Sequence, residues 1–356
     1  MAASWPDRRL LELFGIEVPI VQAPMAGAQG AALAGAVSEA GGLGSLPCSL
    51  LDAKGMRAEL AAFRAISSRP VNLNFFCHDD HPVDGGAEAA WHNVLAPYYA
   101  ELGISDATPF DVVIAPFDGA RCEVVEEYRP EVVSFHFGLP ADDLLDRVRA
   151  SGCRIIASAT TVPEARWLAD RGCDAVIAQG AEAGGHRGMF LSADVEGQVG
   201  TMALVPQVAD AVDVPVIAAG GVADGRGVAA AFMLGASGVQ IGTGYLLCPE
   251  ATISGLHRAA LCSPAALDTA LTNVFTGRPA RSIVTRLMRE LGPLSVAAPR
   301  FPRATGAVLP LRLAAEPDGD TAFTALWSGQ AASLAAELPA GELTRLLASA
   351  ALERLT

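Results

Sequence analysis

The sequence predicts an α/β protein built as a (β/α)8 TIM barrel with an inserted, mainly helical cap domain. Three observations point to this fold: eight short apolar runs, helical patterns between them, and glycine or polar residues after them. The runs do not alternate with polar residues, which is typical of parallel strands buried on both faces. The 356 residues exceed the usual barrel length of about 250 and leave room for an insertion. A doubly wound open sheet is the alternative.

Strands and helices can be placed in order along the chain. The predicted strands are 19–21, 43–46, 71–76, 132–137, 154–159, 175–178, 214–219 and 238–241. The predicted helices are 31–40, 51–66, 141–150, 163–171, 202–211 and 225–234. Pro163 suits a first helical position because it has no N–H to leave unpaired, and Gly172 suits a helix end.

The excess length falls in two places. Residues 249–320 lose the strand-helix rhythm and contain Pro- and Arg-rich joints, so we expect them to form the helical cap. Residues 1–248 and 321–356 are expected to form the barrel, with a final helical stretch over 321–355. A second, irregular insert is expected at 78–110, after the third strand.

Charge excludes several classes of function. The chain carries 25 Lys and Arg against 39 Asp and Glu, a net charge of −14. Nucleic acids and anionic lipids both require a basic surface, so we expect neither as a partner. The stretch 229–247 is uncharged and long enough to span a membrane, but its glycines and Gln240 divide it into a helix and a strand of the core.

Cysteine usage bears on the compartment. Seven cysteines are scattered without a C-x-x-C pair, which argues against a zinc ribbon or a thioredoxin-like site. Their odd number favours a reducing compartment, and the first residues lack the apolar core of a signal peptide. We therefore expect a cytoplasmic protein.

Amides, glycines and histidines follow the predicted strands. In a TIM barrel the active site lies at the carboxyl ends of the strands. The residues at those ends are Gln22, Ala23, Met25, Asn72, Asn74, His136, Gln179, Gly184, His186, Gly220, Gly221, Gln240, Ile241, Gly242 and Thr243. This clustering predicts a ligand site at the barrel mouth.

The loops after the last two predicted strands favour a phosphate-bearing ligand. These loops form the usual phosphate site of the fold. Gly220, Gly221, Gly242 and Gly244 would let backbone N–H groups approach an anion closely, and the Thr243 hydroxyl adds a donor. The alternative is that these glycines only form tight turns.

Two histidines are candidate catalytic residues. His186 lies between the glycine pair 184–185 and Gly188, in a loop expected to be flexible and without an apolar flank to pack. We therefore expect a catalytic role. His136 lies in a strand pattern and could reach a ligand from the barrel rim, or could be a hydrogen-bonded core histidine.

Other candidates are expected to have structural roles. His78 and His81 have a spacing that resembles a metal site, but the pair stands alone in an insert and we expect no metal there. The remaining expectations are a local ion pair between Glu182 and Arg187, and packing by Phe323 and Trp327.

At these residues the sequence resembles the FMN-dependent nitronate monooxygenases, formerly called 2-nitropropane dioxygenases. The similar segments are Gln22-Ala23-Pro24-Met25, Ser134-Phe135-His136-Phe137-Gly138, the run 179–188 around His186, and Ala218-Ala219-Gly220-Gly221. The similarity covers 19–244 and resumes at 326–330. It implies FMN at the barrel mouth, His186 as the catalytic histidine and His136 as a second active-site histidine. The implied FMN contacts are Gln22, Ala23, Met25, Asn74 (with Asn72 as competitor), Gln179, Gly184, Gly220, Gly221, Gln240 to Thr243, and Gln330.

The resemblance also implies a reaction. Alkyl nitronates, such as propionate-3-nitronate, would react with O2 to give carbonyl compounds and nitrite, with a homodimer as a candidate assembly. The alternative is an NAD(P)H-dependent FMN reductase acting on an enoyl thioester or a quinone on the same barrel. Family members often line the substrate pocket with tyrosines from the cap, whereas Tyr245 is the last tyrosine here. The substrate therefore stays open.

Overall fold

Eight parallel strands form a ring at the centre of the computed structural model, which describes residues 4–80, 82–105 and 108–356. The ring strands are β1 (Ile20–Gln22), β2 (Gly44–Pro47), β3 (Val71–Phe76), β4 (Val132–His136), β5 (Arg154–Ala159), β6 (Ala175–Gln179), β8 (Val216–Ala219) and β9 (Gly238–Ile241). Strand β7 (Gly185–His186) lies outside the ring. Pairing of β1 with β9 and a parallel bridge between Val21 and Leu43 close the ring. The predicted barrel is confirmed, and the open-sheet alternative is wrong.

The helices are α1 (Arg9–Phe14), α2 (Ala31–Glu39), α3 (Ala53–Ile66), α4 (Gly85–Glu101), α5 (Gly119–Tyr128), α6 (Asp142–Ala150), α7 (Val162–Asp170), α8 (Thr201–Ala209), α9 (Gly225–Met233), α10 (Gly255–Leu261), α11 (Arg286–Leu291), α12 (Ala304–Ala315) and α13 (Ala340–Leu355). All six predicted helices are present, with ends within two residues of the prediction. Side-chain caps begin several of them: the Asp52 carboxylate accepts from Gly55 N at 2.7 Å, and the Asp224 carboxylate accepts from the first turn of α9.

The barrel core is formed by the apolar strand residues and the inner faces of the helices. Strand β6 is buried along its whole length, as expected of a parallel strand covered on both sides. Helix α13 packs on α9 and α2, and the Tyr245 hydroxyl lies 2.8 Å from Thr344 Oγ1 on that helix. Residues 229–247 divide into α9 and β9 as predicted, and among the described residues no helix is long and apolar enough to cross a membrane.

A second hydrophobic core lies outside the barrel and joins distant parts of the chain. Trp91 and Tyr99 of α4 donate hydrogen bonds to the carbonyl oxygens of Ala304 (3.2 Å) and Ala307 (2.5 Å) on α12. The expectation of an irregular insert at 78–110 is therefore wrong. Gly85 at its start and Pro97 within it conceal this helix in the sequence pattern. We propose that the cap includes α4 in addition to residues 249–320.

The cap also contains strands. β10 (Thr269–Thr272) and β11 (Ala280–Ile283) pair antiparallel, and β11 pairs with β7, which places Ala280 opposite His186. Residues 249–320 are therefore helical only in part. The expected helical stretch over 321–355 is wrong in its first half, because α13 begins at Ala340 and Phe323 packs in the second core.

Candidate active site

A cavity of about 610 Å³ opens at the carboxyl ends of the barrel strands, beneath the cap. Most of the predicted site residues line it: Ala23, Met25, Asn74, His136, Gln179, Gly184, His186, Gly220, Gly221, Gln240, Gly242 and Thr243. Phe323 and Trp327, expected only to pack, line it as well. Residues more than 300 positions apart in sequence, such as Ala23 and Trp327, therefore meet in one site.

Three predicted cofactor contacts do not line the cavity with their side chains. The Gln22 side chain is buried, and its Oε1 accepts a hydrogen bond from Ser45 N at 3.0 Å. Ile241 packs in the barrel core. Gln330 is exposed, and only its backbone N–H, which donates to the Glu182 carbonyl at 3.0 Å, ties it to the site loops.

His186 is held in place by packing. Its backbone belongs to β7, and its ring lies among four aromatic rings with centroids 5.3–6.3 Å away: Phe76, Phe137, Phe301 and Trp327. The expectation of a flexible loop without apolar neighbours is therefore wrong. These neighbours come from four separate segments, so the local sequence around His186 gives no sign of them.

The hydrogen bonds around His186 assign its protonation. Its Nε2 lies 3.0 Å from Thr276 Oγ1, and the Thr276 hydroxyl donates to the Arg278 carbonyl oxygen at 3.3 Å. We infer from the bond to Arg278 that Thr276 Oγ1 accepts from His186, and we assign the imidazole proton to Nε2 on that basis. Nδ1 of His186 has no hydrogen-bond partner among the described residues, so its lone pair is available at the cavity.

His136 contacts the main chain of His186. Its Nε2 donates to the His186 carbonyl oxygen at 3.1 Å, and its Nδ1 lies 3.0 Å from the Ser158 hydroxyl, which donates to it. The same carbonyl accepts from Gln179 Nε2 at 3.0 Å, while Gln179 Oε1 accepts from Gly188 N at 2.7 Å. Both ring nitrogens of His136 are thus engaged, and the two side chains fix the backbone that carries His186.

Burial keeps both imidazoles neutral. The pKa of His186 is lowered to about 3, mainly by burial, with further contributions from the nearby His136 and Arg278. Burial likewise lowers the pKa of His136 to about 3, although its hydrogen bond to the His186 carbonyl opposes the shift. The Arg278 guanidinium lies 3.9 Å from the centre of the Phe137 ring. A neutral His186 with a free Nδ1 has a lone pair that can accept a proton, but a pKa of about 3 makes it a weak base until an anion in the cavity stabilises the imidazolium.

The site glycines serve two purposes. Gly220 and Gly221 have φ values of 108° and 71°, in the region that favours glycine. A Cβ at Gly220 would lie 2.9 Å from Ala183 N, so this residue lets two loops pack closely. A Cβ at Gly242 would meet the side chains of Ala23 and Met25 at 3.4 and 3.7 Å. Gly242 therefore leaves open space at the cavity wall beside β9.

The expected ion pair between Glu182 and Arg187 is absent from the described residues. The Glu182 carboxylate accepts from the Thr201 backbone and hydroxyl at 2.8 Å each. Arg187 is fully buried and donates to the carbonyl oxygens of Gln179 and Gly180 at 2.6 Å each. Both side chains shape the loop after β6, because backbone acceptors there satisfy the guanidinium better than a partly exposed carboxylate.

Gln240, which lines the cavity, carries an unsatisfied acceptor. Gln240 Oε1 is buried and has no hydrogen-bond partner in the described part of the chain, although the residue lines the cavity. A buried acceptor without a partner is costly, so this amide is a candidate for a polar contact with a ligand. Asn74 lines the cavity and Asn72 does not, which favours Asn74 as the ligand contact.

His78, the first histidine of the second insert, is not among the described residues that line the cavity. His78 Nε2 hydrogen-bonds the Ile114 carbonyl oxygen at 2.9 Å, and burial lowers the pKa of His78. His81 lies outside the described residues.

Sequence reasoning missed three residues at the centre of this network: Ser158, Thr276 and Arg278. Arg278 stood out only as part of a Pro- and Arg-rich joint. The sequence around Ser158 and Thr276 does not mark them as site residues, because serine and threonine hydroxyls in strands and turns commonly bond the nearby backbone.

Comparisons with known proteins agree with the site. A sequence profile of the nitronate monooxygenases matches residues 7–349. A nitronate monooxygenase of Pseudomonas aeruginosa is 43% identical over 342 residues, which cover 95% of this chain and 97% of that protein. A solved structure of nitroalkane oxidase from Streptomyces ansochromogenes is 40% identical with a TM-score of 0.88, covering 97% and 98% of the two chains. FabK from Thermotoga maritima is 28% identical with a TM-score of 0.75, covering 99% and 98%. The chain belongs to the nitronate monooxygenase family.

Proposed function

We propose that this chain binds FMN at the barrel mouth and oxidises alkyl nitronates, such as propionate-3-nitronate, with O2. Membership of the family makes it a flavin-dependent nitronate monooxygenase; FMN and the nitronate are the proposed specifics. The products would be a carbonyl compound and nitrite. The overall reaction balances when two nitronates and one O2 give two carbonyl compounds and two nitrite ions.

The cavity residues fit a flavin mononucleotide. The unpartnered Gln240 Oε1 suits an N–H donor such as a flavin ring carries. The backbone at Gly221, Gly242 and Thr243 lies where the fold usually binds a phosphate. No G-x-G-x-x-G fingerprint follows an early strand, which argues for FMN rather than FAD. When bound, the flavin supplies electron transfer, and the protein supplies binding and orientation.

One observation carries the proposal: a neutral His186 presents an unprotonated Nδ1 at the cavity. We infer that Nδ1 removes the α-proton of a neutral nitroalkane and so generates the nitronate in place. With a preformed nitronate, the ring would define the position of the substrate. The surrounding aromatic rings make this part of the cavity apolar.

We infer that His136 and Gln179 are positioning residues. Their hydrogen bonds converge on the His186 carbonyl oxygen and fix where the His186 ring stands. The homodimer and the cytoplasmic location stay predictions from the sequence.

The competing function is an NAD(P)H-dependent FMN reductase. The similarity to FabK is the observation that supports this alternative. The sequence identity and the TM-score with the nitroalkane oxidase are greater, which favours the monooxygenase. Anaerobic mixing separates the two. We expect a nitronate to bleach the flavin absorbance and NAD(P)H to leave it unchanged within turnover time.

The opposite result, bleaching by NAD(P)H alone, would replace the proposal with the reductase. Mass spectrometry of the flavin released by heat identifies the cofactor. We expect the mass of FMN, and the mass of FAD would contradict the cofactor assignment.

A further inference from the structure

The cavity extends beyond His186 along one face of α12. Thr305, Val308, Leu309 and Arg312 all line it, and their spacing of three and four positions places them on the same face of the helix. Arg312 lies seven positions after Thr305, a rise of about 10 Å along the helix axis. The cavity wall thus leads from the aromatic rings around His186, over apolar side chains, to an arginine.

Arg312 is unusual among the residues around it. Of the cavity-lining residues in the described ranges, it alone carries a permanent positive charge. Its Nε donates to Glu316 Oε1 at 2.7 Å, and the Thr324 hydroxyl donates to the same oxygen at 2.9 Å. Glu316 lies one turn further along the chain, so this bond directs the guanidinium away from Thr305.

The other guanidinium nitrogens of Arg312 are available. Nη1 and Nη2 have no hydrogen-bond partner among the residues described, and they carry four of the five N–H donors of an arginine. Arg147 on α6 shows the contrast, since its Nε and Nη2 both bind the Glu126 carboxylate, at 2.8 and 2.7 Å. A partly exposed guanidinium with free donors inside a cavity is suited to a planar anion.

The neighbouring groups strengthen this end of the cavity as an anion site. His257 also lines the cavity, and its Nε2 hydrogen-bonds the Trp327 carbonyl oxygen at 3.1 Å. Burial lowers the pKa of His257, and the positive charge of Arg312 lowers it as well. The hydrogen bond to the Trp327 carbonyl oxygen acts in the opposite direction. The positive field of Arg312 therefore acts within the cavity. Glu182, the one carboxylate among the described lining residues, is engaged by Thr201.

We propose that Arg312 forms a distal anion subsite, which binds the carboxylate of nitronates whose carbon chain is longer than that of propionate-3-nitronate. This inference rests on the proposed function, because it assumes that the nitronate lies beside His186. The apolar wall of Val308 and Leu309 would accommodate the carbon chain, and the guanidinium would pair with the carboxylate in the two-pronged geometry that arginine favours. In a chain with a net charge of −14, this local cation would admit an anion that the protein otherwise repels.

A matched substrate series tests the proposal in the FMN-loaded protein. Each ω-carboxy nitronate, from three to ten carbons, is compared with its neutral methyl ester. We expect kcat/KM of the acids to rise beyond three carbons and to exceed that of the esters. Arg312→Met should raise KM of the longer acids about tenfold, the scale of a lost charged hydrogen bond, with kcat and the esters unchanged. Arg312→Lys should restore part of the affinity.

Controls separate this role from a structural one. Arg8→Met is the matched control. Arg8 also pairs with a glutamate four positions further on, Glu12, but it does not line the cavity. This variant should therefore leave the KM of both the acids and the esters unchanged. The flavin content and the thermal unfolding midpoint of each variant show whether it is folded. Binding of octanoate, which cannot be oxidised as a nitronate, is followed by tryptophan fluorescence and should weaken about tenfold in Arg312→Met.

Equal turnover of acids and esters by the wild-type protein, or equal losses on both in Arg312→Met, would overturn the subsite. Failure of every nitronate to bleach the flavin would instead overturn the proposed function. The octanoate titration still decides the subsite in that case, because it requires no turnover.

Discussion

Nε2 of His136 lies 3.1 Å from the backbone carbonyl oxygen of His186. His136 thus contacts His186 through the main chain, and the two imidazole rings have different roles. His136 uses Nε2 to hold the loop after β6 and Nδ1 to bond Ser158 on β5, whereas His186 bonds Thr276 and leaves Nδ1 to the cavity. The division predicts that substitutions of the two histidines and of Thr276 give distinguishable effects.

Replacement of His186 tests the general base. His186→Asn should keep the fold and the flavin, because the proposed phosphate contacts lie on the loops after β8 and β9. Turnover of neutral nitroalkanes should fall by about 10²–10⁴-fold, the usual contribution of a general base, and turnover of preformed nitronates should fall less. Oxygen uptake with both substrate forms measures this. Equal losses would exclude the base role and leave His186 as a positioning residue.

Replacement of Thr276 tests the assigned tautomer. Thr276→Val removes the acceptor for the Nε2 proton of His186, so the proton can move to Nδ1 and block the base. We expect a roughly tenfold loss in kcat/KM for nitroalkanes, a part of the full base contribution. Thr276→Ser keeps the hydroxyl and should restore the rate. A similar loss with preformed nitronates, or no rescue by serine, would contradict the tautomer assignment.

Gly242 tests the phosphate site. Gly242→Val should lower flavin content strongly while the protein stays folded, because the new side chain fits against Ala23 and Met25 but occupies the cavity wall. Gly255→Val is the control: a Cβ there meets nothing within 4 Å, and the position begins α10. Absorbance ratios of flavin to protein give the result. Full flavin content in Gly242→Val would remove this loop from the cofactor site.

The buried histidines should make stability depend on pH. The pKa values of His186 and His136 lie at about 3 in the folded protein, below the value of 6.5 expected when unfolded. Above pH 6.5 both states are neutral, and below it only the unfolded state gains protons. The free energy of unfolding should therefore fall with acidification, by about 2 kcal/mol per histidine at pH 5.

Urea unfolding of the apoprotein at pH 7 and pH 5 measures this loss. His136→Gln removes one of the two groups, so its free energy of unfolding should fall less between the two pH values. A variant with the same pH dependence as the wild type would show that His136 takes up its proton in the folded state.

Much of the fold and of the site could be predicted from the sequence. The barrel strands are short apolar runs whose ends are marked by glycine or polar residues, and the residues after them lie at one rim by the geometry of the fold. The cap could not be predicted as well. Its helix α4 contains Pro97, and its strands β10 and β11 are stabilised by pairing with each other and with β7.

The sequence by itself determined the barrel, the family and the place of His186 at the barrel mouth, because these depend on local periodicity and on contiguous motifs. Only the tertiary structure decided how His186 is held and which of its nitrogens is free. Its carbonyl oxygen is bonded by His136, 50 positions away, and its Nε2 by Thr276, 90 positions away. The aromatic rings that surround it also come from segments distant in sequence. Protonation depends on neighbours in space, and those neighbours exist only once the barrel and the cap have folded together.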